Sequence, residues 1–206
     1  EHGGDGLRAY VAVDGRLAGI VDYADQLRPG IAAVLIDLGR LGIHHTVLLS
    51  GDHTPNARQV AQEVGISEVH GDLLPEDKVA VVNRLVHEGA RVVMVGDGVN
   101  DAPALTAANV GIALAGHGGG ITAEAADVVI LVDEPARVVE AIRIGQRTLR
   151  VARQSIWVGL GLSAVAMVFA ARGDIVPTVG ALLQEAIDVA VILNALRTSS
   201  SAAARA

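Results

Sequence analysis

No cysteine occurs among the 206 residues, so disulfides and thiolate metal sites are excluded, and the chain is compatible with a reducing compartment. Phe, Trp and Tyr together make up only 2% of the chain. A core must therefore be built from Val, Ala, Leu and Ile, and the stacking surface of a single-strand nucleic-acid binder is missing. Positive charge is also in deficit: 16 Lys and Arg against 23 Asp and Glu leave a net charge of -7, which disfavours a partner that presents phosphate backbone. Charged residues amount to 19% and hydrophobic ones to 51%, with a mean hydropathy of +0.44. The excess of apolar residues lies towards the C-terminus. No charged-then-apolar leader opens the chain, and Glu1 is not an initiator Met, so the start reads as the middle of something longer.

Residues 1–8 are polar and Gly-rich and read as a linker. The segments 10–13 and 17–21 predict two strands about the Asp14-Gly15 turn. After Pro29-Gly30, Ile31, Val34, Leu35, Leu38 and Leu41 recur at helical spacing until Gly42. Further helices are expected over 55–64 and 75–87, each followed by glycine. Short aliphatic runs at 46–49, 92–95, 110–113 and 128–131 read as buried parallel strands. Strands separated by single helices imply an α/β fold with a parallel sheet and helices on its faces. No internal repeat is evident.

The last third differs in character. Arg137, Arg143, Arg147, Arg150 and Arg153 lie on a helical pattern that begins after Pro135, and then the charges stop. Residues 155–171 are uncharged. Arg172-Gly173-Asp174 interrupts, and 175–196 form a second apolar stretch. A helix of about 17 to 22 residues spans roughly 25 to 33 Å, one bilayer core. A pair of core helices could have the same composition, but arginines before the first stretch and Arg197 after the second suit a hairpin with both ends cytoplasmic. The expected organisation is thus a linker (1–8), an α/β domain (9–140), a helix leading into two spans (141–197), and a disordered tail (198–206).

Working residues of open parallel sheets sit beyond the carboxyl ends of the strands. Ser50-Gly51-Asp52 follows the first aliphatic strand, and Gly96-Asp97-Gly98-Val99-Asn100-Asp101 follows the second. Pro75-Glu76-Asp77-Lys78 opens the helix between them. A hydroxyl, an ammonium and two carboxylates in one crevice suit phosphoryl chemistry. Carboxylates hold Mg²⁺, which keeps several of its waters. Lys78 and Ser50 can offset charge on phosphoryl oxygens, and glycines admit backbone N–H groups to them. Taken singly, Ser50-Gly51-Asp52 is also an ordinary turn, and a lysine near a helix start is usually solvated. Glycines and acids placed directly after an all-aliphatic strand are harder to account for as plain loop.

Residues 96–105, Gly-Asp-Gly-Val-Asn-Asp-Ala-Pro-Ala-Leu, resemble the hinge motif of P-type cation-transporting ATPases. The resemblance extends to residues 25–29 (Asp-x-x-Arg-Pro), 50–52, 75–78 and 125–127. It reaches Asn194-Ala195-Leu196-Arg197, similar to the close of the last helix in the transition-metal (heavy-metal) branch, and so covers about residues 18–197. The resemblance implies a haloacid-dehalogenase-like phosphorylation domain, ATP as substrate, Mg²⁺ as cofactor, and ATP-driven transport of a divalent transition-metal ion through an aspartyl-phosphate. Asp97 would be the main Mg²⁺ ligand, with Asp101 and Asn100 supporting the metal shell and Gly96 and Gly98 shaping the hinge. Lys78, Ser50 and Gly51 would contact the phosphoryl group, beside Asp52. The family more often has Thr where Ser50 stands. The Asp-Lys-Thr-Gly motif that bears the phosphorylated aspartate is nowhere in these residues. The nucleotide-binding and actuator domains and the earlier membrane helices are missing too. The chain is expected to be the C-terminal part of a multi-pass membrane enzyme, to meet lipid and the remainder of the pump, and to be inactive by itself.

Gln184, Glu185 and Asp188 lie inside the second apolar stretch at helical spacing, and ionisable groups inside a span are costly and usually functional. With Ser163 they are the transported-ion candidates, although Glu185 or Asp188 could instead bond Ser163 structurally. In related transporters the position ten before Asn194, here Gln184, helps select the ion. Gln184-Glu185 is nearest the His-Glu pattern of cobalt-type pumps without matching it. Oxygen-only ligands favour a harder divalent ion than Cu⁺. His44, His45, His53, His70, His87 and His117 lack metal-ligand spacing and read as surface residues. Two other readings fit parts of the pattern: a soluble phosphatase of the haloacid dehalogenase type, which would carry its own nucleophile and no apolar hairpin, and a truncated, non-enzymatic module that binds Mg²⁺ or a partner.

Overall fold

A computed structural model describes residues 7–23, 27–28, 30–97, 99–114, 124–132 and 134–203. Gly98, His117, most of the 25–29 segment and most of the expected linker lie outside the described residues. The chain divides into two compact units, Glu1–Val139 and Glu140–Ala206.

The first unit opens with an antiparallel hairpin, β1 (Leu7–Val13) and β2 (Arg16–Tyr23). Asp14 and Gly15 both have positive φ (49° and 75°), the two-residue turn whose twist matches that of paired strands. A parallel α/β arrangement follows: α1 (Ile31–Arg40), β3 (Val47–Leu49), α2 (Thr54–Val64), β4 (Glu68–His70), α3 (Pro75–His87), β5 (Val93–Gly96), α4 (Ala102–Ala107), β6 (Val110–Leu114) and β7 (Val128–Ile130). The glycines expected to stop α1, α2 and α3 do so: Gly42, Gly65 and Gly89 all take positive φ just beyond the helix ends.

The parallel pairing forms two ladders, β3–β4 and β5–β6–β7. Among the described residues, β3 and β5 each lack a partner along one edge. These are also the strands that carry the polar loops at their carboxyl ends. The core lies around β6, where Gly111, Ile112, Ala113 and Leu114 are all buried, Gly111 against Leu105 of α4, and Ala104 of α4 and Val82 of α3 are buried too. β5 is different, since Val93 and Val95 are each 39% exposed. Strands of a helix-covered parallel sheet are normally buried on both faces.

The second unit is a helical hairpin, in which α5 (Ala136–Ala171) ends and α6 (Pro177–Ala203) begins within a few residues. α5 closes on Gly173 (φ 83°), with the Asp174 N–H donating to the Phe169 carbonyl, a left-handed cap that satisfies the last carbonyls. Arg172 and Asp174 pair across the turn. α6 continues to Ala203, beyond 197, where the sequence suggested a tail. Both helices are long and apolar enough to cross a membrane, and most of their large side chains are exposed, Trp157, Met167, Leu182 and Leu193 among them. The helices meet along small and polar residues of α5. Ser155, 5% exposed, accepts a hydrogen bond from Asn194 at 2.7 Å. A Cβ on Gly159 would come 3.1 Å from Val191, and Ser163 bonds Gln184. Small residues at a four-residue interval allow such close approach.

Candidate functional site

Ser50 leaves β3 at its carboxyl end, where its hydroxyl donates to Asp52 Oδ2 (3.0 Å) and accepts the Asp52 N–H (3.1 Å). The loop is anchored to the start of the next one: Ser50 N–H donates to the His70 carbonyl, and Leu73 N–H donates to the Ser50 carbonyl. Lys78 stands one turn into α3. Pro75 occupies the first helical turn, and Asp77 Oδ2 accepts the Leu74 N–H at 3.0 Å. These caps fix the direction in which the helix delivers Lys78.

Lys78 and Asp101 form an ion pair of 2.7 Å, with side chains only 15% and 13% exposed. Asp101 ends a single 3₁₀ turn, Val99–Asp101, that leads into α4. Its side chain presses on Gly96, where an added Cβ would lie 2.7 Å from Asp101 Cβ. Glycine is required there by contact. Asp97 follows on the exposed side. It is 59% exposed and 3.3 Å from the Arg28 guanidinium. Asn100 is exposed in the 3₁₀ turn. Lys78 and Asp101 are thus brought together, Ser50 and Asp52 are brought together, and Asp97 meets Arg28 of the 25–29 segment, a pairing that local sequence pattern does not announce.

Sequence reasoning missed Asp72. It adopts φ +56°, one of two non-glycine residues with positive φ among those described. The Thr54 hydroxyl (2.7 Å) and Thr54 N–H (2.9 Å) donate to its carboxylate, and His53 Nδ1 lies 2.7 Å away. The Thr54 hydroxyl, then the Thr54 N–H, then His53 hold its carboxyl down to about 2. Nothing in the local pattern of residues 70–74 announces this, because its partners lie a strand away. His45 and His70 both bond Glu68, and His70 first, then His45, hold that carboxyl below its ordinary value.

In the second unit, Ser163 donates to Gln184 Oε1 and Gln184 Nε2 donates to Asp188 Oδ1, each at 3.2 Å. Three of the four expected ion ligands therefore form one chain of hydrogen bonds. Glu185, the fourth, makes no hydrogen bond or ion pair among the described residues.

Among the described residues no three His, Asp or Glu side chains converge on a point suited to a metal ion. Mg²⁺ binds through one or two carboxylates and keeps its waters. Asp97 fits that role, being exposed at a strand end. Asp101 faces Lys78.

Residues 1–109 match the haloacid dehalogenase-like hydrolases. The chain belongs to that family. It is 41% identical over 187 residues to the manganese-exporting P-type ATPase of Mycobacterium tuberculosis, covering 91% of this chain and 26% of the relative. It is 37% identical over 195 residues to the cadmium, zinc and cobalt-transporting ATPase of Bacillus subtilis, covering 93% and 28%. Among solved structures, a zinc-transporting PIB-type ATPase in the E2.Pi state superposes with a TM-score of 0.81 at 34% identity, over 93% of this chain and 31% of that one. The similarity thus runs through both the family's α/β domain and the apolar hairpin. The chain spans about a quarter of the length of the curated relatives it matches.

Proposed function

We propose that this chain supplies the phosphoryl-transfer crevice and a membrane hairpin of an ATP-driven pump for a divalent transition-metal ion, working through an aspartyl-phosphate. The observation that carries the reading is the open sheet. β3 and β5 bear the polar loops, each lacks a partner along one edge among the described residues, and Val93 and Val95 are exposed. A strand from elsewhere in the polypeptide, bearing the nucleophilic aspartate, would pair there and bring its carboxylate beside Ser50 and Asp97.

In this reading the Ser50 hydroxyl and the Gly51 N–H hold phosphoryl oxygens, giving up the turn that Ser50 makes with Asp52. Lys78, set by Asp101, offsets the charge that builds on those oxygens. Asp97 would hold Mg²⁺, which when bound neutralises charge between ATP and the acceptor carboxylate. Gly96 lets Asp101 approach, and Asn100 lies in the turn between them. The two apolar helices would lie in lipid with the α/β domain and C-terminus on the cytoplasmic side, where the arginines of α5 gather. Their exposed apolar surface disfavours a soluble phosphatase.

For the ion, Ser163, Gln184, Glu185 and Asp188 offer oxygen donors only. Such a set suits a hard divalent ion, and Mn²⁺ agrees with both this chemistry and the name of the mycobacterial relative. Phosphorylation of the full polypeptide by labelled ATP tests the cytoplasmic assignment. Asp97→Asn should lower phosphoenzyme formation by about 100-fold or more, with membrane insertion unchanged, and Asp52→Asn should have a milder effect. Near-normal phosphorylation of the Asp97 variant would refute it.

A further inference from the structure

Residues 50–54 and 70–73 are zipped together by six hydrogen bonds, three between backbone groups and three to one carboxylate. The backbone three run from Ser50 N–H to the His70 carbonyl, from Asp72 N–H to the Asp52 carbonyl (2.7 Å), and from Leu73 N–H to the Ser50 carbonyl. The carboxylate is that of Asp72, which meets the Thr54 N–H, the Thr54 hydroxyl and His53 Nδ1. Gly71 is packed so tightly on Thr54 that a Cβ would fall 2.5 Å from its Cα. Asp72 holds its left-handed φ of +56° while its side chain is half exposed, so burial does not impose the conformation. The hydrogen bonds do, and backbone strain kept in this way is concentrated where geometry matters for function.

We propose that Asp72 is a positioning residue for phosphoryl transfer, clasping the loop after β3 to the loop after β4 and so fixing the Ser50 hydroxyl relative to the Lys78 ammonium. The proposal rests on the roles given above to Ser50 and Lys78. The path from the clasp to Lys78 is short and stiff. Leu73 bonds Ser50, Leu74 is held by Asp77, and Pro75 starts α3. Without the Asp72 carboxylate, α2 loses acceptors at Thr54, and the Ser50 loop is tied to the approach to Lys78 by backbone bonds alone. Asp72 touches no reacting atom. It acts through Ser50.

The test uses the full polypeptide, Mg²⁺ and labelled inorganic phosphate, reading the phosphate concentration for half-maximal phosphoenzyme. Ser50→Ala and Asp72→Ala should each raise it about tenfold, the loss of a charge-assisted hydrogen bond or of one aimed at charge. The double variant should be no worse than Ser50→Ala alone, because the two residues act as one unit. Asp72→Asn, which tolerates the same φ and keeps an acceptor, should recover to within about threefold of wild type. Thr54→Val leaves Asp72 in place and should raise the value about threefold, carrying the test if Asp72→Ala does not fold. Independent, multiplying effects in the double variant would overturn the positioning role. So would an unchanged phosphate dependence in Asp72→Ala or, where that variant does not fold, in Thr54→Val. An unchanged Ser50→Ala would instead overturn the phosphoryl site itself.

Discussion

Two carboxylates near the crevice are held in different ways, and the difference predicts different responses to mutation and pH. Asp101 is nearly buried against Lys78. Asp101→Ala would leave an ammonium enclosed without a counter-charge and should cost about 3 kcal/mol or more. Asp101→Asn should cost less, and urea unfolding of the two variants measures the gap. Asp72 is exposed and held down to about 2, below its ordinary value of 3.8, by Thr54 and then His53. Its folded-state value is the lower one, so its contribution is complete above about pH 4 and is lost as pH falls towards 2. Amide protection at the start of α2, measured relative to the intrinsic exchange rate at each pH, should fall across that window in the wild type. In Asp72→Asn the protection should be lower already at neutral pH and change little with acid. An acid response that survives in Asp72→Asn would assign the titration to another group.

At the scale of elements, β5 and the 3₁₀ turn meet in close contact at Gly96. Gly96→Ala places a methyl group inside Asp101, so it should displace the carboxylate from Lys78 and destabilise the domain by about 1 to 3 kcal/mol. Phosphoenzyme formation and thermal unfolding measured on the same variant check both effects. Helices ending at Gly42, Gly65 and Gly89 were legible because apolar periodicity and a glycine stop coincide there. The strands at 47–49, 93–96 and 110–114 were legible as aliphatic runs. β4 was not, because Glu-Val-His offers one apolar residue in three, and its pairing with β3 is what makes it a strand. α4 was not, because its six residues lie inside a motif read for chemistry. The Asp72 clasp and the Ser155–Asn194 bond join residues 18 and 39 apart in sequence, a range at which local pattern carries no signal.

Over the whole molecule, the proposed function assigns one chemistry to each unit, so that each should be open to separate disabling. Gln184→Ala and Glu185→Ala should abolish metal-stimulated ATPase activity in the full polypeptide while phosphorylation from inorganic phosphate survives. Gln184→His should move preference towards cobalt-like ions. Turnover across a panel of divalent ions reads both, and unchanged profiles in all three variants would make α6 a scaffold. In the proposed function the crevice is half of a site whose nucleophile comes on another strand. Its most direct measurement compares this chain alone with the full polypeptide, each incubated with Mg²⁺, the transported ion and γ-labelled ATP and then precipitated in acid. An acid-stable, hydroxylamine-sensitive phosphoenzyme is expected from the full polypeptide, and no label on residues 1–206 alone. Label on the isolated chain, at Ser50, Asp97 or any other residue, would contradict it.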